Sequence, residues 1–111
     1  MAAITVQNVT VTTSLTPSFA AASATGDYFQ NNGKILLYFK NASVAEARTV
    51  TISAQAECNQ GHEHDITVTV STSSEEIVGF FRMNRFNDKD GRVQITYDNH
   101  ADLTVAAISV E

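Results

Sequence analysis

The sequence predicts an all-β fold: a single β-sandwich, Ig-like or jelly-roll-like, of about eight short antiparallel strands. Three observations predict it. Apolar and polar residues alternate with a period of two along most of the chain, as strand side chains do. Clusters of Asn, Asp and Gly punctuate the runs at intervals of about 8 to 15 residues, the spacing of short strands and turns. The composition is rich in Thr, Val, Ile and Ala, with one Pro and only 17% charged residues, which favours strands over a helical bundle or a disordered tail. A chain of 111 residues buries roughly two thirds of its unfolded surface, so one core without staples suffices. Residues 1–111 therefore read as one domain, with 1–25 an extended N-terminal arm or edge strand.

Ile4 and Val6 share one parity and Val9 and Val11 the other, so the first strand, about 3–12, is expected to carry a bulge near Gln7 and Asn8. Residues 13–25 are small and polar, with Pro17 and only Leu15 and Phe19 as large side chains. They read as a loop or weak edge strand. Asn31-Asn32-Gly33 is a turn signal because Asn and Gly tolerate positive φ. Tyr28-Phe29 and Lys34–Lys40 then form the two arms of a hairpin, and Ile35–Phe39, apolar on both faces, is expected to be a central, fully covered strand.

Val50, Ile52, Ala54 and Ala56 alternate with polar partners, as do Ile66, Val68 and Val70, giving two half-buried strands that flank the loop 57–64. Ile77–Phe81 is an apolar run broken by Gly79. Val93, Ile95 and Tyr97 alternate after the turn Asp88-Lys89-Asp90-Gly91. Leu103, Val105 and Ala107 give way to Ile108 and Val110, a second expected phase slip. Val44–Arg48 is the one helix candidate, a turn at most.

The net charge of -5 and seven Lys and Arg supply no basic stripe, which argues against nucleic acid. No apolar stretch approaches the roughly 20 residues that span a bilayer, so no membrane partner is expected. The N-terminus lacks a signal-peptide pattern, and a soluble chain made in the cytoplasm is expected. One Cys excludes an intrachain disulfide and fits a reducing compartment. The sequons at Asn8 and Asn41 would matter only in a secretory context.

Cys58, His62 and His64, with Glu63 and Asp65, invite a metal reading, since Cys and His ligate zinc. A structural site needs four ligands fixed by distant parts of the fold, and the only other His is His100. The segment reads better as a polar hairpin loop turning at Asn59-Gln60-Gly61, with metal binding left open. Asn87–Gly91 resembles part of a calcium loop but lacks the bidentate Glu, and a tight β-turn is the simpler reading. Cys58 near His62 has no orienting residue, and no Gly-x-Ser-x-Gly, His-Glu-x-x-His or phosphate-cradling motif occurs. The expectation is a non-enzyme without cofactors.

Phe80, Phe81, Arg82, Met83, Arg85 and Phe86 differ in kind. Aromatics, Met and Arg are enriched at protein interfaces, and on a strand alternate side chains would face away from the core. The competing reading is that Phe80, Met83 and Phe86 plug one end of the sandwich.

Gly26-Asp27 through Asn31-Asn32-Gly33-Lys34, the strand Ile35–Asn41, Thr49–Ile52, Phe80-Phe81, Phe86-Asn87-Asp88 with Asp90–Val93, and Leu103–Ile108 follow one another in an order that resembles small structural proteins of tailed bacteriophages. The resemblance covers about residues 26–110 and rests on strand ends, not catalytic motifs. It implies a capsid cement or decoration protein on the virion exterior, binding the major capsid protein as a homo-oligomer, dimer or trimer. Where that group has a short hairpin, this chain has the polar loop 57–65. The alternatives are a carbohydrate-binding or adhesive β-sandwich, for which Tyr28, Tyr38 and Tyr97 could stack on sugar, and a neck or tail component.

Overall fold

The alternation becomes two mixed five-stranded sheets. The computed structural model describes residues 2–10, 14–55 and 65–110. In chain order its strands are β1 (Ala2–Ala3), β2 (Val6–Val9), β3 (Ala20–Ala21), β4 (Asp27–Gln30), β5 (Ile35–Asn41), β6 (Arg48–Ile52), β7 (Ile66–Val70), β8 (Glu75–Val78), β9 (Arg92–Tyr97) and β10 (Leu103–Val110). The first sheet runs β1-β4-β9-β6-β7; the second runs β2-β10-β5-β8, with β3 also paired to β10. The described strands thus number ten, more than the expected eight, because the N-terminal quarter supplies three short ones. Among the described residues no helix is long and apolar enough to cross a membrane.

Not all pairings are antiparallel as expected: β1 runs parallel to β4 and β2 parallel to β10. Hairpins oblige antiparallel pairing, but these partners are joined by long connections and escape that constraint. The parity change in the N-terminal segment is likewise not a bulge at Gln7 and Asn8. Ile4 donates its N–H to Tyr28 O at 2.8 Å in the first sheet, whereas Val6 pairs with Ala107 in the second. The chain changes sheets between these residues, and beyond Val6 the register against β10 runs unbroken from Val6↔Ala107 to Val9↔Val110, so Val6 and Val9, of opposite parity, lie on one regular strand.

The Asn-Asn-Gly turn does not close a hairpin. β4 pairs with β1 and β9, β5 with β10 and β8, so residues 31–34 form a corner between sheets. Asn31 Oδ1 accepts from Gly33 N at 3.0 Å and Asn32 Oδ1 from Lys34 N at 2.8 Å. Two successive side-chain turns replace the ladder a hairpin would have supplied.

β5 is central but covered on one face. Ile35, Leu37, Phe39 and Asn41 are buried, and Leu36, Tyr38 and Lys40 are half-exposed. Phe19 lies on this outer face, edge-on to Tyr38 at 5.1 Å, with Lys40 Nζ 4.1 Å from its ring centre. The expected slip in β10 is absent. Its register against β5 is continuous from Leu103↔Asn41 to Ser109↔Ile35, and Ser109 keeps the inward parity by accepting a bond from Asn32 Nδ2 at 3.1 Å. A polar residue in a core position had hidden the phase.

β6 and β7 pair antiparallel, Val50 opposite Val68, as expected for strands flanking one loop. β3 lies at the edge as the 13–25 reading allowed. Val44–Arg48 forms no helix: Val44 and Ala45 make a bend and Arg48 already opens β6, and among the described residues the single helical turn is Met83–Phe86. Buried side chains of both sheets, among them Phe29, Phe39, Ile52, Ile95 and Val105, belong to one hydrophobic cluster.

Candidate interaction site

β8 ends at Val78, and at Gly79 the chain lies too close to β5 for any side chain. A Cβ there would sit 2.7 Å from Ile35 O and 2.8 Å from Leu36 Cδ2. Beyond it the chain leaves the sheet. Phe81 turns inward, 5.6 Å from Phe29 and 5.6 Å from Phe86 between ring centres, the second pair edge-to-face. Arg85 N and Phe86 N both donate to Arg82 O, and Asn87 N donates to Met83 O, closing the helical turn.

This turn breaks the strand alternation on which the candidate surface was read. Phe81 is 1% and Phe86 2% exposed, so both are core residues and neither can supply contact area. Of the proposed plugs only Phe86 is one. Phe80 is 56% and Met83 52% exposed, with Arg82 exposed between them. Arg85 is half-buried, its guanidinium carbon 4.8 Å from the Phe86 ring centre. Sequence reasoning missed Ile77, 59% exposed on β8. Its signal was its parity, shared with Glu75 and opposite to that of Val78.

Polar side chains fix this end from within. Asn31 Nδ2 donates to Phe81 O at 3.0 Å and to Asn87 Oδ1 at 2.7 Å. Asp88 Oδ1 accepts from Asp90 N at 2.8 Å and Arg92 N at 3.0 Å, and its Oδ2 from Gln94 Nε2 at 3.0 Å. Those bonds, the Gln94 one foremost, hold its carboxyl below the ordinary value. Gly91, at φ +77°, completes a tight turn with its N–H on Asp88 O. The carboxylate the calcium reading needed is already occupied by backbone and amide donors.

Asp27, buried, accepts from Tyr97 OH at 2.6 Å and Ser23 N at 3.2 Å; burial, then that carboxylate, raises the Tyr97 hydroxyl well above its usual range. Tyr38 donates to Glu75, and Arg92 lies over the Tyr28 ring at 4.6 Å. Asn41 is buried, its Nδ2 donating to Glu46 O and Val70 O, so the folded chain offers no sequon there, whereas Asn8 is exposed. Cys58, His62 and His64 lie outside the described residues. Among the described residues no three His, Cys, Asp or Glu gather as metal ligands.

Comparison of the chain with protein-family models, curated proteins and solved structures gave no match.

Proposed function

We propose that the chain is a non-enzymatic binding module: a β-sandwich that decorates a virus capsid, lying across major capsid protein subunits on the outer surface and stabilising the head. The observation that carries this reading is the placement of Ile77, Phe80 and Met83 in the open beside Arg82. Large apolar side chains flanking an Arg form the sort of anchor that dominates protein interfaces. The sandwich itself is supported by the single core cluster shared by both sheets and by overall extents of 40 × 38 × 20 Å, the thinnest matching two layers packed about 10 Å apart.

The resemblance to phage structural proteins supplies the capsid. A staple across subunit joints gains strength by repetition with symmetry, as a dimer or trimer, rather than from one tight site. The carbohydrate alternative finds less support. Tyr97 is engaged with Asp27, Tyr28 lies under Arg92, and Tyr38 is flanked by Phe19 and Lys40.

The test is retention on purified capsids of a variant carrying Phe80→Ser, Arg82→Ala and Met83→Ser. These positions are exposed, so the melting temperature should hold while occupancy falls by at least about tenfold, the loss of one modest hot spot. Unchanged occupancy would refute this surface. Copy number separates cement from a neck or tail part, since a decoration protein must be present in numbers comparable to the capsid subunit.

A further inference from the structure

We infer that β8 is a docking edge that takes an extended, cationic segment of a partner protein as an added strand of the second sheet. The inference concerns this surface, does not rest on the capsid reading and is tested without a capsid.

Among the described residues β8 pairs only with β5. The phase of that ladder follows from one bond: Asn41 N donates to Ser74 O at 2.9 Å, directly opposite in the register that places Lys40 against Glu75 and Tyr38 against Ile77. In an antiparallel pair, alternate residues bond across the ladder. Glu76 and Val78 therefore bond to β5, and the N–H and C=O of Glu75 and Ile77 turn outward. An added strand finds its backbone partners there, with the Ile77 side chain beside it and Phe80 just beyond the strand end.

Glu76 supplies the discrimination. It shares the parity of Val78 and lies opposite Phe39, on the core-facing side, yet it is exposed at the edge. An inward-pointing charge on an edge strand blocks indiscriminate pairing. Glu75 is already engaged by Tyr38 OH and by Lys40 at 3.9 Å; Glu76 has no ion pair among the described residues.

With Glu75 and Ile77 bonding outward, the most overlapped antiparallel self-pairings set Glu76 against its own copy or against Val78, and neither offers a cation. A Lys or Arg opposite Glu76 does, at a non-hydrogen-bonded position where side chains approach most closely. The net charge of -5 favours a cationic segment at longer range as well.

The probe is a short synthetic peptide alternating Lys and Val, with a Glu and Val peptide as control, titrated into the isotope-labelled chain. The Lys peptide should shift and protect the amides of Glu75 and Ile77 and bind about two- to fivefold tighter per charge pair than the control, the range for cross-strand pairs. Glu76→Lys should reverse that preference. Ile77→Pro, which removes an outward N–H together with the exposed Ile77 side chain and breaks no bond to β5, should abolish binding while leaving the melting temperature near that of the parent. If the proline variant does not fold, the Glu76→Lys reversal alone decides. Equal binding of both peptides, perturbation confined to another edge, or dimerisation of the unmodified chain through β8 would each overturn the inference.

Discussion

The corner at residues 31–34 and the passage Gly79–Phe86 meet at one end of the molecule, where the Asn31 amide bonds the Phe81 carbonyl and the Met83 side chain lies over Gly33. The corner turns the Asn31 amide inward, buried and bonded on both ends. The passage turns apolar groups outward at Phe80 and Met83. A side chain is placed here by what its backbone needs, not by its polarity. The internally bonded corner holds the passage in a fixed shape, so its exposed apolar side chains form a defined surface rather than a loose one.

The largest effect should separate adjacent residues of the passage. Phe81→Ala removes a ring packed between Phe29 and Phe86 and should cost about 3–5 kcal/mol. Phe80→Ala, one position away and exposed, should stay within about 0.5 kcal/mol. Denaturant unfolding of both variants measures the contrast. Similar losses would mean that Phe80 is part of the core after all and would remove it from the candidate surface.

A smaller effect tests the corner. Asn31→Ala deletes both amide donors and the acceptor of Gly33 N, leaving the buried Phe81 carbonyl without that bond. A loss of about 1–3 kcal/mol is expected, the cost of stranding buried polar groups. Exchange of the Gly33 amide should also accelerate. A neutral substitution would show that the passage holds its shape without the corner.

The β character, the β6–β7 pairing and the Asp88–Gly91 turn were legible because each is local: a period of two, or a short turn motif. The corner was not. Asn31-Asn32-Gly33 favours a reversal equally for a hairpin and for a change of sheet, and only the distant partners of β4 and β5 decide between them. The same holds for Ile4 and Val6, which share one parity in the sequence yet bond to different sheets, Ile4 beside β4 and Val6 beside β10. Within the aromatic passage the residue types were found, but their directions were misassigned. Gly79 ends the strand, a helical turn follows, and alternation no longer applies to Phe81 and Phe86.

The smallest effect concerns pH and reaches the comparison through Asn87, whose Oδ1 accepts from Asn31 and whose neighbour Asp88 anchors the next turn. Asp88 has its folded value held below the ordinary 3.8 by bonds from Gln94 and the backbone of Arg92 and Asp90. A depressed carboxyl stabilises the fold fully above the unfolded value and loses that contribution as pH falls through the folded one. Asp88→Asn, which does not titrate, isolates this from the other acids. The parent's advantage in melting temperature over the variant should be constant from neutral pH down to the ordinary carboxylate range, then shrink below it. A gap that stays constant into strong acid would mean that the charge on Asp88 is immaterial to the turn. The geometry of the passage would then depend on Asn31 and the Phe81 packing alone.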